Sequence, residues 1–184
     1  ARFLVGARQA KAIVVACNTA TAHAVDLLRT RFPDVPIVGM EPAIKPAAKA
    51  TRSGVVGILA TGAALDGERV AQLIERNADG VEILTQACPG LAERVEAGDL
   101  SGPSTIDLLR QYTGPMLERG ADTIVLGCTH YVFLRDSLRR VVGPSVTLID
   151  TGAAVARQTA RVLAESDLLR HDDGAGHQDD KVVD

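Results

Sequence analysis

Two stretches of the chain share one pattern, AKAIVVACN at residues 10–18 and ADTIVLGCT at residues 121–129. Each begins with a small and a charged residue, passes through a β-branched apolar run, and ends on a cysteine followed by a hydrogen-bonding side chain. The apolar run predicts a strand buried on both faces, and a helix is expected to follow it. The repeat therefore predicts two equivalent strand–helix units, each with a cysteine at the end of its strand.

Similar short apolar runs alternate with amphipathic stretches along the rest of the chain. All the runs together predict strands at 12–16, 35–39, 54–60, 81–84, 122–127 and 146–150. Helical spacing predicts helices at 21–31, 65–77, 104–119, 132–142 and 153–163. The pair Gly114-Pro115 is expected to kink or split the third of these. Alternation of this kind predicts an α/β fold with mostly parallel sheets flanked by helices.

Composition narrows the class of protein. The 184 residues are 46% hydrophobic and carry a net charge of −3 without any basic block, which argues against a dedicated nucleic-acid-binding or membrane-surface protein. No apolar run reaches the roughly 18–20 residues that a membrane span needs. Three scattered cysteines are too few for a disulfide framework, and we expect no signal peptide. We therefore expect a cytoplasmic protein.

The two strand-end cysteines, Cys17 and Cys128, suggest proton-transfer chemistry. In open α/β sheets the carboxyl ends of the strands form the ligand-binding edge, and a helix N-terminus stabilises a thiolate. Asn18, Thr19 and Thr129, with nearby backbone N–H groups, could cradle a carboxylate. An amino acid held between two thiols could lose its α-proton to one and gain a proton from the other. That reaction is racemisation without a cofactor, and it places the sulfurs on the order of 6–9 Å apart, well beyond a disulfide.

Other roles for these residues stay open at this point. His130 could orient the Cys128 thiol or tune its protonation, or it could be structural. Cys17, Cys128 and His130 could together hold a metal, but no fourth ligand is apparent, so we expect none. A Cys–His nucleophile for acyl transfer would leave the second strand-end cysteine unexplained. Cys88, which is followed by Pro89 at an expected first helical position, is taken as structural.

Several motifs occur together in the order and approximate spacing of one family. They are residues 17–20 (CNTA), 41–47 (EPAIKPA), 57–61 (GILAT), Cys88-Pro89 followed by Glu96, and 127–131 (GCTHY). Over about residues 1–165 the chain resembles the glutamate racemases. The resemblance implies a bacterial, cofactor-independent isomerase that supplies D-glutamate for peptidoglycan. It implies that Cys17 and Cys128 are the acid/base thiols and that His130 and Glu96 assist them. The residues that it implies for substrate binding are Asn18, Thr19, Thr61, Thr129 and His130.

The resemblance also implies two α/β lobes with the active site in the cleft between them. We expect residues 1–40 and 151–184 in the first lobe, with disorder from about residue 171, and residues 41–150 in the second. Although residues 146–150 fall at the end of the second range, we expect this strand to join those at 12–16 and 35–39 in the sheet of the first lobe. The family's Asp-Ser-Gly and Pro-Tyr-Gly turns are absent and residue 1 is Ala, so we expect a fragment with an incomplete first lobe.

The expected partner is glutamate, with no nucleic acid and no membrane; pairing of two copies of the chain is left open. Two alternatives remain for the function. One is a racemase of the same superfamily that acts on aspartate or another amino acid, and the other is a remnant that binds without catalysing.

Overall fold

The computed structural model of the chain describes residues 1–66, 68–78 and 80–170. Strands and helices alternate along these residues, and every predicted strand overlaps an observed one. The strands are β1 (Ile13–Val15), β2 (Ile37–Gly39), β3 (Val55–Ala60), β4 (Glu82–Ala87), β5 (Thr123–Leu126) and β6 (Thr147–Ile149). The disorder expected from residue 171 concerns residues outside the described ranges.

The helices follow the amphipathic stretches, with three additions. They are α1 (Asn18–Arg31), α2 (Ile44–Ala50), α3 (Gly62–Leu65), α4 (Glu68–Asn77), α5 (Leu91–Glu96), α6 (Pro103–Glu118), α7 (Arg135–Val142) and α8 (Gly152–Glu165). A π-helical turn at Phe3–Ala7 precedes β1, and a 3₁₀-helix at Thr129–Leu134 leads into α7. The helices α2, α3 and α5 were not predicted, because seven, four and six residues are too few to display a clear helical period.

Helix α6 runs unbroken past Pro115, so the expected split does not occur. Leu109, Tyr112 and Met116 are buried on the same helix, on both sides of the proline. Met116 lies directly over β3, where a Cβ on Gly57 would clash with the Met116 sulfur. Packing along the whole length of α6 therefore offsets the hydrogen bond that proline removes.

The strands form two parallel sheets. The first contains β1 and β2, and the second has the order β4-β3-β5-β6. Placing the 146–150 strand in the first sheet was wrong, because β6 pairs with β5 in the register Ile124 to Leu148. Helix α7 returns the chain to the neighbouring strand, which is the ordinary short crossover of a parallel sheet. The α/β fold with parallel sheets and flanking helices is confirmed.

The second sheet is covered on both faces. Leu59 and Ile124 face a core that includes residues of α6 and α7, whereas Ile58 and Val125 face a core that includes residues of α2. All four residues of β5 are buried, as the apolar run predicts. This sheet is therefore a rigid support for the residues that follow its strands.

The first sheet has two strands and is less fully covered by the described residues than the second. Ile13 of β1 is buried against α1, but the next residue, Val14, is 41% exposed. The expectation that this strand is buried on both faces is therefore wrong, because only one face of β1 is covered by the described residues. Helix α8 packs against β2, which returns the last described helix to the first sheet.

Candidate active site

Cys17 lies where β1 gives way to helix α1. It has extended backbone dihedrals and occupies the N-cap position of this 14-residue helix. Its Sγ accepts a hydrogen bond from the backbone N–H of Ala20 at 3.4 Å. This bond places the sulfur beside a backbone donor at the helix N-terminus. The thiol is half-buried.

Cys128 occupies the matching position after β5, at the start of the 3₁₀-helix. Burial is the main cause that raises the pKa of this thiol above its ordinary value. Backbone N–H bonds from His130 and Tyr131 act in the opposite sense. The charges of nearby Cys17 and Glu93 raise the pKa of Cys128 further. The Cys128 side chain is thus held as a neutral thiol, and Cys17 is close enough to influence it electrostatically.

Cys128, His130 and Glu96 form a chain of side-chain contacts. His130 Nε2 lies 2.5 Å from Glu96 Oε1, and His130 Nδ1 lies 3.5 Å from Cys128 Sγ. A carboxylate only accepts hydrogen bonds, so Nε2 carries the proton of this pair. In the neutral imidazole Nδ1 is then the acceptor, and the Cys128 thiol donates to it. The structure brings together all three side chains, which come from α5 and the 3₁₀-helix.

Two hydrogen bonds join the start of α1 to the edge of the second sheet. Asn18 donates from Nδ2 to the carbonyl oxygen of Gly127 at 2.8 Å. Thr19 Oγ1 and Thr61 Oγ1 are 3.0 Å apart. Thr61 also caps α3, because its Oγ1 accepts from the N–H of Ala64 at 3.3 Å. The residues after Cys17 are therefore fixed next to the residue that precedes Cys128.

Asn18 is buried, with 6% of its surface exposed. Its Oδ1 finds no hydrogen-bond donor among the residues that the structure describes. A buried carbonyl oxygen without a donor is costly, so this atom is suited to accept from a ligand. Thr129 follows Cys128 directly and is half-buried.

A groove of about 740 Å³ opens beside Cys128 and Thr129. Its walls come from β1, the 3₁₀-helix and α8, and they are mainly apolar. The exposed side chains of Val14, Phe133 and Leu169 line it. The groove gives a route by which a small molecule can reach the Cys128 side of the site.

Cys88 takes no part in this arrangement. It is 3% exposed and belongs to the core beneath the second sheet. Burial, as the largest cause, raises its pKa to about 12, which leaves an unreactive thiol. Burial in the core agrees with a structural role for Cys88. The expected position of Pro89 as the first residue of a helix is wrong, because α5 begins at Leu91 after Gly90, which has a left-handed backbone conformation.

Two features of the site were not predicted from the sequence. One is the Asn18–Gly127 bond, which joins residues 109 positions apart. The other is the influence of Glu93 on Cys128, for which the only signal is its position three residues before Glu96 in the same helix. Within residues 1–66, 68–78 and 80–170 no group of three or more His, Cys, Asp or Glu side chains is placed to hold a metal ion. No helix of the described residues has the length and apolarity to cross a membrane.

The fold and the site together define a class of protein. It is an α/β protein with two parallel sheets, and in each sheet one strand is followed by a cysteine that contributes to a shared site. A sequence profile of the family described as Asp/Glu/Hydantoin racemase matches residues 4–159. The chain belongs to this family.

Within the family the chain is similar to glutamate racemases. Glutamate racemase of Pseudomonas syringae pv. tomato is 60% identical over 160 residues, which are 87% of this chain and 58% of that protein. Glutamate racemase of Herpetosiphon aurantiacus is 59% identical over 88% of this chain and 63% of that protein. The resemblance that the motifs indicate is confirmed, and the chain spans about three fifths of the length of these relatives.

Solved structures give the same result. The crystal structure of Escherichia coli glutamate racemase in complex with L-glutamate and the activator UDP-MurNAc-Ala superposes with a TM-score of 0.76 and 39% identity. The match covers 84% of this chain and 58% of that one.

Proposed function

We propose that the protein to which this chain belongs interconverts L-glutamate and D-glutamate by proton transfer between Cys17 and Cys128. The observation that carries the proposal is the placement of two cysteines after parallel strands, Cys17 after β1 and Cys128 after β5. Their neighbours Asn18 and Gly127 are joined by a hydrogen bond of 2.8 Å. The similarity to glutamate racemases over most of the chain supports glutamate as the substrate.

The chemistry needs two thiols in different protonation states. A thiolate removes the α-proton from one face of the amino acid, and the electron pair of the C–H bond stays on Cα. The opposite thiol then delivers its proton to the other face. The product is the mirror image, and the two sulfurs have exchanged protonation states. No cofactor enters this balance. Cys17, at a helix N-terminus, is suited to begin as the base, and Cys128, whose pKa is raised, as the acid.

The neighbouring side chains assist these steps. His130, held by Glu96, hydrogen-bonds the Cys128 sulfur and orients its proton. The free Oδ1 of Asn18 accepts from the substrate ammonium. The hydroxyl groups of Thr19, Thr61 and Thr129, together with His130, contact the carboxylates. The helix N-terminus after Cys17 stabilises the charge that develops on the substrate.

The lobes follow from the same arrangement. Residues 1–40 with 151–170 form the first lobe and residues 41–150 the second, and the substrate lies between them. The packing of α8 on β2 supports the return of the chain to the first lobe. We place the reaction in the bacterial cytoplasm, where D-glutamate is supplied for peptidoglycan.

The decisive experiment follows both glutamate enantiomers by chiral chromatography. It uses the chain alone and a chimera in which the portion missing from the match is taken from the Pseudomonas syringae relative. Aspartate and other amino acids are assayed in parallel. Interconversion of glutamate alone supports the proposal. Activity on another amino acid only would assign the chain to a different racemase, and binding without turnover in the chimera would leave a binding protein.

Single Cys17→Ser and Cys128→Ser variants test the thiol roles in the same assay. Each should lose racemisation while it still eliminates halide from a β-halogenated analogue of suitable configuration, because elimination needs one base only. Full racemisation by either variant would refute the two-thiol assignment. A Cys88→Ser variant is the matched control, since that thiol lies in the core and its loss should leave turnover intact.

A further inference from the structure

We propose that Asn18 is a positioning residue whose side-chain amide fixes the separation of the Cys17 and Cys128 thiols. This inference rests on the proposed function, because it assigns Asn18 a task within the two-thiol site. The Asn18 Nδ2–Gly127 O hydrogen bond of 2.8 Å joins the residue after one thiol to the residue before the other. A single side-chain hydrogen bond therefore links the backbone segments that carry the two thiols.

The acceptor end of this bond is held rigidly. The N–H of Gly127 donates to the carbonyl oxygen of Leu59 at 2.7 Å, which extends the pairing of β5 with β3. A Cβ on Gly127 would lie 2.8 Å from that oxygen and 3.1 Å from the Cβ of Ala60. Only glycine lets the backbone approach so closely. The carbonyl that receives Asn18 is thus set by the fully buried centre of the second sheet.

The donor end has no competing task in its own helix. Cys17, not Asn18, caps α1, so the Asn18 amide is not needed to satisfy the helix N-terminus. The bond is buried, which makes its loss more costly than that of an exposed one. The Thr19–Thr61 bond supports the same junction from the next residue along. Helix α1 therefore meets the second sheet at two adjacent points beside the thiols.

The two ends of the Asn18 side chain can be separated by substitution. Asn18→Asp keeps an oxygen acceptor at the Oδ1 position but replaces the donor with a second oxygen, which the Gly127 carbonyl repels. Asn18→Ala removes both. If Asn18 only contacted the substrate ammonium, Asp would serve at least as well as Asn. If it positions the thiols, Asp must fail as Ala does.

Cross-linking of the chain itself measures the separation directly. Bismaleimides and dibromoalkanes of increasing length are reacted with the folded protein, and Cys17–Cys128 cross-links are quantified by mass spectrometry. We expect wild type to prefer one span sharply and both Asn18 variants to lose that preference by roughly tenfold. Asn77→Asp is the matched control, because the Asn77 amide donates to the Leu73 carbonyl inside α4. Circular dichroism shows that each variant remains folded.

An unchanged span preference in Asn18→Asp would overturn the inference, as would a wild type without any preference. In the active chimera a second readout compares racemisation, which needs both thiols, with elimination, which needs one. We expect Asn18→Asp to lower racemisation at least roughly tenfold more than elimination. Equal loss of both would reduce Asn18 to a substrate contact. A wild-type chimera without racemisation would instead refute the proposed function and leave the cross-linking result standing.

Discussion

Cys17 and Cys128 occupy matching positions at strand ends, yet their surroundings differ. The Cys17 sulfur accepts a backbone hydrogen bond at a helix N-terminus, whereas the Cys128 sulfur lies beside the imidazole of His130. The sequence repeat predicts the match but not the difference, because burial and nearby charges come from residues that are distant in the chain. Glu93 and Glu96 of α5 approach Cys128 only once the second sheet is assembled, because α5 follows β4 and Cys128 follows β5.

The raised pKa of Cys128 has a direct consequence for its reactivity. Because the thiolate is the species that reacts with iodoacetamide, alkylation of Cys128 should reach half its maximal rate at a higher pH than a small free thiol. Mass spectrometry of peptides from a pH series measures this for each cysteine. Cys88 serves as the internal control and should stay unmodified while the protein is folded. Half-maximal alkylation of Cys128 below that of the free thiol would contradict the assignment of a neutral acid.

The charge of Glu96 should contribute modestly to turnover. Glu96→Gln keeps an oxygen that accepts from His130 Nε2 but removes the negative charge. Because the Glu96 side chain is 72% exposed, screening limits the effect, and we expect a roughly threefold to tenfold lower kcat with an altered pH profile. The exposed Glu118→Gln is the control. A change in KM alone, with the pH profile intact, would show that Glu96 only contacts substrate.

At the scale of elements, the apolar runs predict every strand because parallel strands need continuous β-branched sequence. They do not predict which sheet a strand joins: the 146–150 run reads like that at 12–16, but β6 pairs with β5. Nor does local sequence predict that α6 stays intact at Pro115, since the side chains that hold it belong to the sheet beneath. Pairing and packing are tertiary choices, and no local pattern encodes them.

The carboxylate of Asp122 accepts several hydrogen bonds at the amino-terminal edge of the second sheet. Asp122, just before β5, accepts from the Thr51 hydroxyl at 2.6 Å and from the N–H groups of Arg52 and Ser53 at 2.8 and 2.9 Å. Burial acts to raise its pKa, but these bonds and one from Thr123 outweigh it and lower the pKa to about 2. Asp122 thus fixes the loop that leads into β3.

Stability should therefore fall in acid through Asp122. A carboxyl with a pKa of about 2 when folded and near 3.8 when unfolded contributes fully above pH 4, and the contribution is lost as the pH falls from about 4 to 2. Asp122→Ala should lower the free energy of unfolding by roughly 1–2 kcal/mol at neutral pH. It should also reduce the fall in the free energy of unfolding between about pH 4 and 2. Urea unfolding at several pH values measures both. Asp107→Ala is the control, because its ion pair with Arg110 is exposed and worth little. If the free energy of unfolding of Asp122→Ala fell between about pH 4 and 2 as steeply as that of wild type, the lowered pKa of Asp122 would be contradicted.

At the scale of the whole molecule, the two sheets differ in how far the described residues cover them. The second has four strands with helices on both faces, and the first has two strands with Val14 exposed on one side. Open strand edges and uncovered apolar side chains lower the free energy needed for local opening. The shared active site thus joins a rigid half to a more loosely held one.

Hydrogen exchange should show this difference within the 184-residue chain. We expect the amides of β5, buried at the centre of the second sheet, to exchange slowest and those of β1 and β2 to exchange together and much faster. Strand β4 is the internal comparison, because it too lies at a sheet edge but belongs to the four-stranded sheet. If edge position alone decided the rate, β4 would exchange as fast as β1. If the small size of the two-stranded first sheet decides the rate, the amides of β4 stay protected from exchange while those of β1 do not. Equal, strong protection of β1 and β5 at every protein concentration would refute the expectation, whereas protection of β1 that grows with concentration would show that a second copy of the chain covers the exposed face.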